Sequence, residues 1–132
     1  MYFCIMRAFK KYFEIAETPD QVFLALTNPT TLLLWTGEPA EGTDVVGSDF
    51  YIYGGSIQGR VVELEAPKKI VQEWFFGEQE EKSIVTLLLH PHSAGTSIEL
   101  RHTNIPDEVY DEIVAGWTEM FFPDLKEFYL PE

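Results

Sequence analysis

From Asp44 to Thr103 the chain reads as strand after strand, and Val109, Ile113, Trp117, Met120, Phe121 and Phe128 then recur at helical spacing. Few architectures satisfy that order of patterns. A sheet buries one face, an amphipathic helix buries one stripe, and each needs a partner to bury it against. One long aromatic helix and one apolar sheet face predict a helix lying across a curved sheet, with room for a pocket between the two layers.

The elements follow from local chemistry. Residues 8–15 alternate, with Phe9, Lys11, Phe13 and Ile15 on one side, and their lysines suit a sheet edge. Thr18 and Pro19 open a helix as N-cap and first helical residue, with Val22, Phe23 and Leu26 as its apolar stripe. Asn28-Pro29 breaks it and starts a second short helix through Trp35, which Gly37 ends as a C-cap. An acidic loop follows, over residues 37–44. Strands are expected over 49–53 and 56–65, joined at Gly54-Gly55 as a two-residue hairpin, with a bulge or bend at Gly59. Further strands are expected over 70–76, 83–90 and 96–103. Ile70, Gln72, Trp74 and Phe76 share one face, and Val85, Leu87, Leu89, Ile98, Leu100 and His102 point inward. Glu78 to Glu81 reads as a charged turn. The last helix starts at Ile105-Pro106-Asp107-Glu108, its acidic first turn suiting the helix dipole, and Pro123 is expected to kink it, or to end it and start a further turn. The fold class is α+β: a curved six-stranded antiparallel sheet, two short helices after the first strand, and a long C-terminal helix across the sheet.

At 132 residues the chain is expected to form one domain, 1–132, that buries about two-thirds of its unfolded surface without a disulfide or metal staple. The lone Cys4 excludes an internal disulfide framework, reads as a small buried apolar residue rather than a reactive thiol, and favours a reducing compartment. The apolar opening Met1 to Met6 precedes Arg7, Lys10 and Lys11, the reverse of a signal peptide's charge order, and nothing approaches the roughly 20 apolar residues of a membrane span. A cytoplasmic protein is expected. A net charge of −13 repels phosphate backbones and anionic membranes, so nucleic acid is excluded as a partner, while a basic protein surface is not.

Several segments carry a family resemblance. They are Pro19 through Pro29 with Trp35, Asp49-Phe50 through Gly59, Leu64 through Ile70 with Trp74, Ser83 through Leu87, Gly95 through Pro106, and Gly116-Trp117. In this order they resemble the homologues of the activator of the 90-kDa heat-shock protein ATPase, within the START-like (SRPBCC) helix-grip superfamily. The resemblance implies a cavity between sheet and last helix, and a histidine at the position of His102. It leaves activity open, since the superfamily holds carriers, cyclases, hydroxylase domains and co-chaperone domains. The co-chaperones carry a separate N-terminal chaperone-binding domain. This chain is expected to lack it, which sets chaperone activation behind ligand binding.

No catalytic motif stands in the sequence: no nucleophile elbow, phosphate loop or paired cysteines. His90, His92 and His102 invite a metal, but His90 should point opposite to Val85, Leu87 and Leu89 while His102 points inward, and Pro91 interrupts the strand. Glu38, Glu41, Asp44 and Asp49 match no calcium loop and read as solvated. No metal or cofactor is expected. The first reading is a non-catalytic protein binding a small hydrophobic ligand, with Trp35, Phe50, Ile52, Trp74, Phe76, Leu87, Leu100, His102, Ile113, Trp117 and Phe121 as the proposed lining. A chaperone-linked or other protein-interaction module is the alternative. An enzyme acting on a hydrophobic substrate is the third reading, with His102 as its one clear inward acid or base.

Overall fold

The computed structural model describes residues 6–77 and 81–130. Cys4 and Glu78 to Glu80, read above as a buried thiol and part of a charged turn, lie outside the described residues.

Strand β1 (Met6–Ile15) is followed by helices α1 (Pro19–Thr27) and α2 (Pro29–Thr36), then strands β2 (Asp49–Ile52), β3 (Ile57–Glu65), β4 (Lys69–Trp74), β5 (Ser83–His92) and β6 (Gly95–Pro106). The chain then turns through Asp107–Val109 into a long helix with two α-helical parts, α3 (Tyr110–Ala115) and α4 (Phe122–Phe128), joined by a π-helical turn, Gly116–Phe121. All six strands pair antiparallel in the order β1-β6-β5-β4-β3-β2, so β1 is an edge as its lysines suggest. This is the helix-grip architecture.

The two short helices form at the expected places, α1 through the expected Thr18–Pro19 cap and α2 through a cap by Asn28 that was not read from the sequence. The Thr18 hydroxyl accepts from the Gln21 N–H with Pro19 behind it, and Asn28 Oδ1 accepts from the Thr31 N–H. Gly37 closes α2 at φ 79°. Their buried side chains, Val22, Ala25, Leu26, Leu32 and Trp35, pack on the same sheet face as the last helix. The inward row of the sheet is as read: Val85, Leu87 and Leu89 on β5 stand opposite His102, Leu100 and Ile98 on β6, and all are buried.

Four local expectations need correction. The β2–β3 connection is four residues, Tyr53 to Ser56, because Ile52 pairs with Ile57 and Tyr53 itself adopts φ 54°. Gly59 is no bulge. It stands between Phe50 and Trp74 in the register, and a Cβ there would meet the Glu73 carbonyl at 2.0 Å and the Phe50 ring at 2.8 Å. The bulge in β3 falls at Val62 instead. Strand β4 stops at Trp74 rather than Phe76, whereas β5 runs through Pro91 to His92. That proline is tolerated because β4 ends opposite Leu88, leaving one side of β5 unpaired where the N–H is missing.

At Pro123 the helix changes character: the π-helical turn ends and α4 begins as a further turn, with Pro123 in its first positions, as the sequence allows. The Phe122 N–H reaches back five residues to the Trp117 carbonyl, a π-helical bond that widens the turn immediately before the proline, whose missing N–H would break a regular α-helical ladder. The widened turn also lets two consecutive aromatics face the core: Phe121 meets Trp35 edge-on at 5.1 Å, and Phe122 stacks on Phe13 at 3.7 Å. Among the described residues no helix is long and apolar enough to cross a membrane.

Candidate functional site

The π turn faces the site. A groove of about 200 Å³ opens between the last helix and the β2–β3 turn. The turn contributes Ser56, β3 contributes Ile57, β4 contributes Trp74, and the helix contributes Glu112, Ile113, Gly116, Trp117, Met120 and Phe121. Its walls are overwhelmingly apolar, as small-molecule sites are. Glu112, Gly116 and Met120 follow one another at helical spacing along its helix wall. Gly116 has α-helical angles and nothing within 4 Å of where a Cβ would be, so the missing side chain is open space.

Behind the wall runs a chain of rings. Trp74 and Trp117 stack at 4.9 Å, Trp117 meets Phe121 edge-on at 4.8 Å, and Trp35 reaches Tyr53 edge-on at 6.5 Å. The polar ends of these rings are satisfied inside the protein. Trp35 Nε1–H donates to the Ala25 carbonyl at 2.8 Å, and Trp74 Nε1–H donates to Gln72 Oε1 at 3.0 Å. The Tyr53 hydroxyl donates to Asp124 Oδ2 at 3.2 Å, tying the strained turn to the helix, and burial together with the Asp124 and Glu38 carboxylates raises its pKa.

His102 is fully buried directly behind Trp117. Trp117 Nε1–H donates to its Nδ1 at 3.1 Å, so Nδ1 carries no proton and Nε2 does. Nε2–H then donates to Ser83 Oγ at 2.8 Å, and that hydroxyl donates to the Thr103 carbonyl at 3.3 Å. The order of donors decides the chemistry. A histidine that activates a serine must accept the serine's proton, and here Nε2 already holds one. Burial lowers the His102 pKa to about 3, so the ring stays neutral. The Ser83–His102 pair is a structural strut and not a nucleophile–base pair.

The other histidines face elsewhere. His90 sits on the outer sheet face with Nε2 3.1 Å from Glu99 Oε1, and His92 Nδ1 accepts from the Ala94 N–H. Loss of water raises the Glu99 pKa, but hydrogen bonds from His90 and Arg101 outweigh it and hold the carboxyl below its usual range. Among the described residues no three metal-ligating side chains converge. In the acidic loop Glu41 bridges Tyr51 through its backbone, and Asp49 pairs with Arg60 at 3.1 Å.

Of the eleven residues read from the sequence as lining, Trp74, Ile113, Trp117 and Phe121 border the groove. Trp35 backs Phe121, and Phe76 packs beside His102 and Trp74. Phe50, Ile52, Leu87 and Leu100 fill the core, and His102 braces Trp117 from behind. Sequence reasoning did not single out Ser56, Ile57, Glu112, Gly116 or Met120 as lining, nor Ser83 as the partner of His102. One signal was available: a glycine midway along an aromatic helix costs about 1 kcal/mol relative to alanine and calls for a reason.

Comparison with known proteins agrees with this architecture. The family model described as "Activator of Hsp90 ATPase homolog 1-like protein" matches residues 16–129. The human activator of 90 kDa heat shock protein ATPase homolog 1 is 22% identical over 114 residues, covering 85% of this chain and 34% of that protein. A Dictyostelium discoideum homologue is 26% identical over 119 residues, covering 88% and 31%. The chain thus spans about a third of the length of these curated relatives. The crystal structure of a Plasmodium falciparum protein described as an HSP90 activator superposes with a TM-score of 0.82 at 30% identity, covering 93% of this chain and 95% of that one. On these grounds the chain belongs to the family of activator of Hsp90 ATPase homolog 1-like proteins.

Proposed function

We propose that the protein binds a small apolar ligand in the groove between the last helix and the β2–β3 turn, without catalysing a reaction on it. The observation that carries this reading is the open volume over Gly116, walled by Trp74, Trp117, Phe121 and Ile113. A helix that needed only to pack would gain about 1 kcal/mol from alanine there and would close the space. His102 supports the same reading, because its hydrogen bonds fix the Trp117 indole as a rigid wall. A single groove-facing carboxylate and a neutral, enclosed histidine supply no acid–base pair for chemistry.

Native mass spectrometry under gentle and denaturing conditions tests for a carried ligand, and titration with a neutral aryl alcohol tests the groove. Saturable binding lost in Gly116→Leu, with unfolding stability retained, is the expected outcome. Equal binding by wild type and a folded Gly116→Leu protein would reject the groove as the site.

The alternative is a chaperone-linked interaction module, favoured by family membership and by similarity to a protein described as an HSP90 activator over 93% of this chain. Stimulation of the cognate chaperone's ATPase by the purified protein is the expected result on that reading, and the absence of both binding and stimulation would remove it.

A further inference from the structure

The walls of the groove are apolar, but its rim carries a charge. Residues 107–122 hold Asp107, Glu108, Asp111, Glu112 and Glu119 and no lysine or arginine. Asp107 is matched by Arg7 at 3.5 Å. Glu112, which borders the groove, has no cation within ion-pair distance among the described residues. The whole chain carries a net −13. A carboxylate ligand would therefore meet an unmatched carboxylate at the rim and a repulsive field on approach, whereas a cation would meet the reverse.

Size and reach narrow the class further. A dry apolar cavity of about 150 Å³ accepts benzene. A groove of about 200 Å³ therefore suits one or two fused rings. The open space lies at Gly116, four residues beyond Glu112, which is about 6 Å along a helix. A ring over Gly116 with a charge at Glu112 needs a spacer of two or three carbons. We propose that the groove takes an arylalkylamine, its rings against Trp74 and Trp117 and its protonated nitrogen at Glu112. This rests on the ligand-binding reading above and adds the charge and shape of the ligand.

Calorimetric titration with three probes of one shape tests it: 2-(1-naphthyl)ethylamine, 2-(1-naphthyl)ethanol and 1-naphthylacetate, at neutral pH and low salt. The amine should bind about three- to five-fold tighter than the alcohol, the scale of a solvent-exposed charge pair, and the carboxylate should bind weakest. The amine's advantage should shrink in 0.5 M NaCl. Within the Glu112→Gln variant, amine and alcohol should bind equally. Equal binding of amine and alcohol by the wild type overturns the proposal while leaving the groove as a ligand site, as does a preference that survives Glu112→Gln. Binding of none of the three overturns the ligand-binding reading itself, and this proposal with it.

Discussion

His102 shows how a single buried residue couples stability to pH. Its ring is neutral because burial penalises the charge and because the Trp117 N–H already points at Nδ1, where a second proton would set two donors face to face. In the unfolded chain the same ring titrates near 6.5. The folded pKa is depressed, so the folded state resists protonation that the unfolded state accepts. Stability is full above pH 6.5 and falls as pH drops from 6.5 toward about 3. Between pH 6.5 and 5, above most carboxylate titrations, the loss is roughly 1.5 kcal/mol. His102→Gln keeps an acceptor for Trp117 and a donor for Ser83 and removes the titration. Urea unfolding should show wild type losing that stability over this window and the variant keeping it; parallel curves would exclude His102 as the source. The inward placement of His102 was legible in the alternation of β6. Its partner Ser83 was not, because a strand pattern says which face a residue takes but not which neighbour lies within 3 Å across the sheet.

At the scale of elements, one residue separates α1 from α2 and serves both. The Asn28 backbone N–H donates to the Leu24 carbonyl and ends α1, while its side chain accepts from the Thr31 N–H and starts α2. Asn28→Ala should cost about 1 kcal/mol through the lost N-cap, with the backbone bond to Leu24 retained. A midpoint shift in urea with an unchanged slope checks this; a changed slope would mean that the two helices no longer fold with the sheet. The caps at Thr18 and Gly37 were readable beforehand because their physics spans four residues, while Asn28 was read as a breaker and not as a cap. The course of the last helix was not legible. Pro123 by itself predicts a kink or a further turn, and the widened turn before it goes with distant partners: Phe121 meets Trp35 and Phe122 stacks on Phe13. The β2–β3 turn is a similar case. Gly54-Gly55 announces a turn, but the Tyr53 hydroxyl on Asp124, in another part of the chain, draws Tyr53 into it. The groove lies between these two elements, whose local course depends on distant partners, and its opening at Gly116 is not legible in the strand and helix periods.

For the whole molecule, a net charge of −13 on 132 residues means that like charges repel across the surface. Added salt should screen this repulsion, and Tm at pH 7 should rise between 20 and 200 mM NaCl, by roughly 2–4 °C for each kcal/mol relieved. A fall in Tm would show that ion pairs such as Arg60–Asp49 and Lys69–Glu63 outweigh the repulsion. The class of fold was legible at this scale from two periods and their order, since a helical stripe after a run of strands has one sheet face to cover. The order β1-β6-β5-β4-β3-β2 has a consequence in time. Each strand from β3 to β6 can pair with the one made just before it. Strand β1 is made before them all, and among the described residues its one neighbour in the sheet is β6. From Ile15 to Gly95 is 80 residues. At a ribosomal pace of 5–20 residues per second, β1 waits ~4–16 s with Phe9 and Phe13 uncovered. Of these six strands, the one made first is therefore the last to be paired, and it carries Arg7, Lys10 and Lys11 along that waiting edge.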